Sequence, residues 1–333
     1  MEILFLVFGI GLLILVTVDI LWTSIWVDGG GGPVSSRLSS AAYKTVRFFS
    51  RDKSLALSIT GPLILMITLM TWIALTWGGW LFIFAGGEET FLDTRDDLPV
   101  SWTERIYFTG YLIFTLGIGD YVPKDGIWQV ISAVAAGNGF LFITLGASYV
   151  LSVLGAVTTQ RSFASSITGL GMTGSEIVKK AWDGKDFGNI DLILNATSAQ
   201  LSTLTAQHNA YPILHYYHPR DVKQSAPYAV AALDEALMIL KFGVPERNQP
   251  NMLLLEAARS TIQEYLVTLT SAFVSSSREE PPRADLDFLR DAGLPTMDDH
   301  EFNKQLDKWT EHRKRLYGIV KSDARDWPEK SEN

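Results

Sequence analysis

Three long apolar stretches constrain this chain more than anything else in it. They are Ile3–Trp26, about Leu55–Phe84 and about Ile127–Val157. A bilayer core about 30 Å thick needs roughly 20 helical residues, so each is long enough to cross. The second and third hold no charged residue, which argues against a buried hairpin of a soluble protein. The first begins Met1-Glu2 with no positive leader and is longer than a signal-peptide core, so it is expected to be retained as a membrane helix. The expected fold class is therefore an all-α membrane protein. Its 333 residues leave room for two or three domains. The net charge of −8 argues against nucleic acid as the main partner, because phosphate binding needs a concentrated basic face. With no cysteine, disulfides, thiolate metal sites and cysteine nucleophiles are excluded.

The loops orient the spans. Arg37, Lys44, Arg47, Arg51 and Lys53 lie between the first two, against Asp28 and Asp52. Glu88, Glu89, Asp93, Asp96, Asp97 and Glu104 lie between the second and third, against Arg95 and Arg105. Basic loops stay in the cytoplasm. The N-terminus and the acidic loop are then outside, residues after about 160 inside, and the protein is multi-pass in the plasma membrane. Trp72, Trp77, Trp80, Trp102 and Trp128 read as an outer aromatic belt.

Between the second and third spans lies a fourth apolar segment, Trp102–Phe114, followed by "TLGIGDYVP". Thirteen residues cannot cross a bilayer but suffice for a re-entrant half-helix. Irregular backbone at membrane depth survives only where protein or water satisfies it. A half-helix and a glycine-rich strand between two full spans make a pore loop. Gly117 and Gly119 permit alternating backbone handedness at little steric cost, which turns successive carbonyls toward one axis.

On these residues the chain resembles the potassium-channel pore family over about residues 55–157. Thr115-Leu116-Gly117-Ile118-Gly119-Asp120 matches the family pattern Thr-x-Gly-Tyr/Phe-Gly-Asp at five of six places. Gly119-Asp120-Tyr121-Val122-Pro123 is similar to second pore loops of two-pore-domain channels. The resemblance implies that the carbonyls of Thr115, Leu116, Gly117 and Ile118, with the Thr115 hydroxyl, replace the hydration shell of K+ ions. Asp120 would hydrogen-bond back to the pore-helix layer, and Tyr111 and Tyr121 would support the filter. One chain supplies one loop, so a ring of four needs a homotetramer.

Ile118 departs from the pattern. It fills less space than the usual Tyr or Phe and offers no hydroxyl. Tyr107, Phe108, Tyr111 and Phe114 stand where they could fill the gap, and the Tyr111 hydroxyl either serves Asp120 or simply packs. In the third span Gly139 lies where the family places its inner-helix hinge, and it reads either as that hinge or as a close-packing site. Gly137 is a packing candidate with the same alternative. Asn138 either lines the cavity or bonds another helix. No span carries spaced arginines, so a voltage sensor is not expected. Asp19, the one acid in the first span, pairs with Arg37 or Arg47, or acts as a proton-sensitive latch. Val34–Ser50 reads as a basic amphipathic helix on the inner leaflet, with Leu38, Ala41, Ala42, Val46, Phe48 and Phe49 apolar.

Residues after 159 show helical spacing: Ile190, Leu192, Leu194 and Leu201; Ala229, Leu233, Leu237 and Leu240; Leu253, Leu254, Ala257, Ile262, Leu266 and Leu269. "SREEPPR" breaks the chain and a polar helix follows at about 299–326. An α-helical bundle is expected, without the strand-Gly-x-Gly-x-x-Gly-helix unit of a nucleotide-binding regulator. His215 and His218, three apart, read as packing, as a pH site or as a metal site. No nucleophile–base pair suggests an enzyme. The expected organisation is 1–27 extra transmembrane helix, 28–54 basic loop with interfacial helix, 55–158 pore domain and 159–333 cytoplasmic helical domain. Within the pore domain the spans are 55–84 and 127–157, the pore helix 102–114 and the filter 115–120. The expected function is a potassium channel in the lipid bilayer, with no cofactor beyond K+ and an unidentified ligand or protein on the last domain. The alternatives are a weakly selective cation channel or a membrane-anchored receptor with a vestigial pore.

Overall fold

The structure, a computed structural model, describes residues 2–26, 30–49, 53–87, 89–94, 99–272 and 274–328. Of residues 47, 49, 53–55 and 272 it describes the backbone alone. The chain forms two compact units. The first comprises Met1–Thr45, Pro62–Val153 and Ala210–Ile213; the second comprises Val46–Gly61, Leu154–Asn209 and Leu214–Asn333.

Helix α1 (Glu2–Ser24) precedes the amphipathic α2 (Ser35–Phe49), and α3 (Lys53–Ala85) follows. A short strand β1 (Phe91–Asp93) leads to α4 (Trp102–Ile113), and β2 (Tyr121–Pro123) leads to α5 (Ile127–Thr168). Helices α1, α3 and α5 are long and apolar enough to cross a membrane. At 42 residues α5 is about 63 Å long at 1.5 Å per residue. It runs eleven residues past the expected end of the span at 157, because Phe163, Ala164 and Ile167 find a core to bury in.

Helix α4 has 12 residues, about 18 Å, well short of a bilayer core. Its start is a capping box: the Ser101 N–H donates to Glu104 Oε2 at 2.6 Å, and the Glu104 N–H to Ser101 Oγ at 3.4 Å. Two orphan amides are satisfied reciprocally, so the half-helix can begin abruptly. Strands β1 and β2 pair antiparallel, with Leu92 opposite Val122. This small ribbon has too few residues for a sequence pattern to reveal it.

In the second unit α6 (Gly174–Ala181), α7 (Ile190–Ala210), α8 (Ala226–Met238), α9 (Met252–Ala272), α10 (Asp287–Arg290), α11 (Asp299–Asp307) and α12 (Thr310–Ser322) form the expected bundle. Helix α8 is its axis, buried along its whole length. Its two acids are therefore placed on partners. Asp234 Oδ1 meets His312 Nε2 at 2.9 Å, and Glu235 Oε2 accepts from the Gly174 N–H at 3.0 Å.

Several expectations are corrected. Leu192 and Leu253 are about four-fifths exposed, and Ala257 is exposed too. The buried stripe of α7 runs through Ile190, Leu194, Leu201 and Leu204. That of α9 runs through Leu255, Ala258, Ile262, Leu266 and Leu269. A helix of 3.6 residues per turn carries i+2 positions off its face. The polar helix at 299–326 is two, α11 and α12.

Candidate functional site

The loop after α4 carries the chemistry. Its first amides are taken by the helix end: Thr115 N–H donates to the Leu112 carbonyl at 3.0 Å and Leu116 N–H to the Tyr111 carbonyl at 2.8 Å. Beyond them the backbone alternates. Thr115, Gly117 and Gly119 have φ of +53°, +59° and +88°, while Leu116 and Ile118 between them do not. Left-handed geometry is a strained choice for a β-branched threonine, costing roughly 1–2 kcal/mol. Among the described residues, none of the carbonyls of residues 115–118 accepts a hydrogen bond. They remain available as ligands. Leu116 and Ile118 are 64% and 54% exposed, so the described residues cover them only in part.

The loop is clamped at its far end. The Asp120 carbonyl accepts from the Thr94 N–H and from Thr94 Oγ1, both at 2.9 Å. Thr94 follows β1, so the ribbon delivers this clamp; no sequence signal marked it. Behind the loop sits an aromatic core. Phe108 is fully buried and stacks on Phe91 with ring centroids 4.0 Å apart, while Phe84 meets it edge-on at 5.1 Å. Tyr107 packs against Tyr111 and Tyr121. Arg105 Nη1 ties α4 to the end of α3 through the Phe84 carbonyl at 2.8 Å.

Two expected roles change. The Tyr111 hydroxyl donates to the Tyr121 carbonyl rather than to Asp120, because pairing of β2 with β1 presents that carbonyl to it. Asp120 does not bond back to α4: its Oδ1 is buried and accepts no hydrogen bond among the described residues. The aromatic rings expected beside Ile118 gather instead around Phe91 and Tyr121, and Ile118 stays 54% exposed.

Gly139 closes on α4. A Cβ there would stand 2.7 Å from both Cα and Cγ2 of Ile113 and nearer still to the Ile113 carbonyl oxygen. Close approach is its role in this structure, and α5 runs through it as continuous helix. Gly137 has no atom within 4 Å of a Cβ position, so of the two glycines it is Gly139 that makes the close approach. Asn138 Oδ1 accepts from Trp80 Nε1 at 2.9 Å, which joins α5 to α3. Trp77 Nε1 donates to the Ile106 carbonyl at 3.0 Å. Trp72 is buried on Asp19. Each of these three tryptophans thus has its indole N–H on a partner within the chain.

Asp19 pairs with neither arginine candidate by any observed contact; the Arg47 side chain lies outside the described residues. Its carboxylate is occupied by the start of α2. His215 lies in a 3₁₀ turn (Pro212–Tyr216) with His218 beyond it, so the two do not share a helix face. Their rings are 6.4 Å apart, as are those of His208 and His215. His218 Nδ1 faces Asp323 Oδ1, whose other oxygen accepts from Ser225 Oγ. The acid comes from 105 residues away, out of reach of local sequence reading. Burial pushes His208 down to about 3 and His215 down to about 4, the latter helped by His218. Both are neutral near pH 7. Among the described residues no group of three or more His, Cys, Asp or Glu side chains is placed to hold a metal.

The comparisons with known proteins agree with this geometry. A family model described as "Ion channel" matches residues 67–156, which run from α3 through the loop into α5. Over 324 residues the chain is 43% identical to the "Uncharacterized membrane protein YdjJ" of Bacillus subtilis (strain 168), covering 97% of this chain and 95% of that one. No solved structure matches. The chain thus belongs to one family with the Bacillus membrane protein, and its central segment places it among the pore-loop ion channels.

Proposed function

We propose that this protein is a potassium-selective channel, passive and homotetrameric. Four loops ring one axis, and the carbonyls of Thr115, Leu116, Gly117 and Ile118, with the Thr115 hydroxyl, bind dehydrated K+. The observation that carries this is the alternation of backbone handedness at Thr115, Gly117 and Gly119, together with carbonyls that accept no hydrogen bond among the described residues. Exposure of Leu116 and Ile118 supports burial against neighbouring copies, since apolar side chains seldom stay uncovered at such a site. The charge of the loops favours the plasma membrane with the N-terminus and the filter mouth outside and the helical unit in the cytoplasm, where it regulates opening. Asp120, Tyr111 and Tyr121 hold the filter mouth, and α5 carries the gate.

Ile118 favours a second reading, a weakly selective cation channel. With no ring and no hydroxyl it fixes the filter diameter less firmly than the aromatic residue of the family. One measurement separates the two: the reversal potential of the purified protein in planar bilayers with K+ on one side and Na+ on the other. A value near the potassium equilibrium potential is expected. A value near zero with measurable current selects the nonselective pore. Gly119→Asp should abolish current and leave assembly intact; surviving current with unchanged selectivity would refute the filter assignment.

A further inference from the structure

The first apolar helix buries one acid, and its partners lie on two other helices. Asp19 is fully buried. Its Oδ1 accepts from the backbone N–H groups of Val34 at 2.7 Å and Ser35 at 3.0 Å. Its Oδ2 accepts from Ser35 Oγ and from Trp72 Nε1 at 2.8 Å. One turn on, Thr23 Oγ1 accepts from the Gly32 N–H at 2.9 Å. The chain at Gly32 runs so close that a Cβ would stand 2.7 Å from the Asp19 carbonyl oxygen.

The first amides of any helix lack partners within it, and its N-terminus carries partial positive charge. Asp19 therefore caps α2 from the preceding helix, fifteen and sixteen residues back along the chain. A buried carboxylate in an apolar helix is expensive unless its lone pairs are met, and here four donors meet them. The same oxygen that holds Ser35 also holds the indole of Trp72 in α3. That indole packs on Tyr149 of α5, centroids 5.6 Å apart, and Tyr149 is itself buried. Further along α5, Gly139 abuts the end of α4.

We propose that Asp19 is a positioning residue for gating. It fastens the amphipathic helix α2 to α3 and, through the Trp72–Tyr149 contact, to α5, so that a displacement of α2 reaches the helix that supports the filter. This rests on the channel reading above. The extra N-terminal helix then has a job: it is the post to which α2 is tied.

The test uses full-length protein in vesicles, as wild type, Asp19→Ala, Asp19→Asn and Trp72→Phe, with two readouts. Amide hydrogen exchange at Val34 and Ser35 reads the fastening, and single-channel K+ recording reads the coupling. Asp19→Ala should speed exchange of both amides about tenfold or more, since it removes charge-assisted bonds. Asp19→Asn keeps an oxygen acceptor and should fall between it and wild type. Trp72→Phe cuts only the link to α3: exchange should stay within about twofold of wild type. Both Asp19→Ala and Trp72→Phe should shift open probability by about tenfold in the same direction, with unit conductance and reversal potential unchanged. Unchanged exchange in Asp19→Ala overturns the fastening. Faster exchange with unchanged open probability in both variants overturns the gating role. Wild-type protein that passes no current removes the channel reading and the gating role with it, while exchange still decides the fastening. Should Asp19→Ala fail to assemble, Trp72→Phe and Asp19→Asn carry the same decisions.

Discussion

Gly139→Ala has opposite signs under the two readings of the third apolar helix. If Gly139 is a hinge in an otherwise straight helix, alanine stiffens it and stabilises the protein by about 1 kcal/mol. The structure points the other way. The new Cβ would lie 2.7 Å from the Ile113 Cα and Cγ2 and closer to the Ile113 carbonyl oxygen, where carbon contacts ordinarily settle at about 3.5–4.0 Å. Two of these three atoms are backbone and cannot rotate aside. Either α5 or the end of α4 must yield by about 1 Å. Overpacking of this kind costs roughly 1–3 kcal/mol; against a helix-propensity gain of about 1 kcal/mol, a net loss of up to about 2 kcal/mol is expected. Gly137→Ala is the control. Its Cβ meets nothing within 4 Å, so it should match or slightly exceed wild type. The assay is unfolding of the full-length protein in detergent, followed by tryptophan fluorescence, with bilayer recording alongside. Because Ile113 is two residues from Thr115, displaced α4 should also disturb the K+ to Na+ permeability ratio. A Gly139→Ala protein as stable as wild type or more so, with selectivity unaltered, would refute the packing account.

Two further substitutions test particular bonds. Tyr111→Phe removes the donor to the buried Tyr121 carbonyl and should cost about 1–3 kcal/mol in the same unfolding assay; unchanged stability would show that water or another group replaces it. His215 is held neutral by burial, with its pKa lowered to about 4 from an ordinary 6.5. Its contribution is complete above pH 6.5 and is lost as pH falls toward 4, by up to about 3 kcal/mol; His215→Phe should flatten that acid limb when unfolding is compared at pH 7, 5 and 4, and an unaltered slope would place the acid sensitivity elsewhere.

Much of the fold was legible from residues alone because bilayer and helix impose strong local rules. Three uncharged or nearly uncharged runs, a 13-residue segment between two of them and "TLGIGD" are each detectable over a short window. The structure places a helix on every one of the four apolar stretches. What failed were statements about partners. Leu253 and Leu192 had the right chemistry on the wrong face of their helices. For Asp19 the sequence offers arginine partners or a proton-sensitive latch, whereas folding gives it backbone amides. For Tyr111 the sequence offers a bond to Asp120 or simple packing, and a ribbon of two three-residue strands puts another acceptor, the Tyr121 carbonyl, in its path.

The division has a physical cause. Segment length, apolar content and glycine spacing act within a few residues, so the chain by itself determined the three long apolar helices, the short helix between the second and third of them and the alternating loop. Contacts such as Asp19 with Trp72, Tyr111 with the Tyr121 carbonyl and His218 with Asp323 join residues 53, 10 and 105 positions apart. Which donor reaches which acceptor across such distances depends on how helices pack, and only the tertiary structure decided it. The same holds for Gly139: its missing side chain is equally suited to bending and to close approach, and only the folded chain shows the Ile113 carbonyl lying against it.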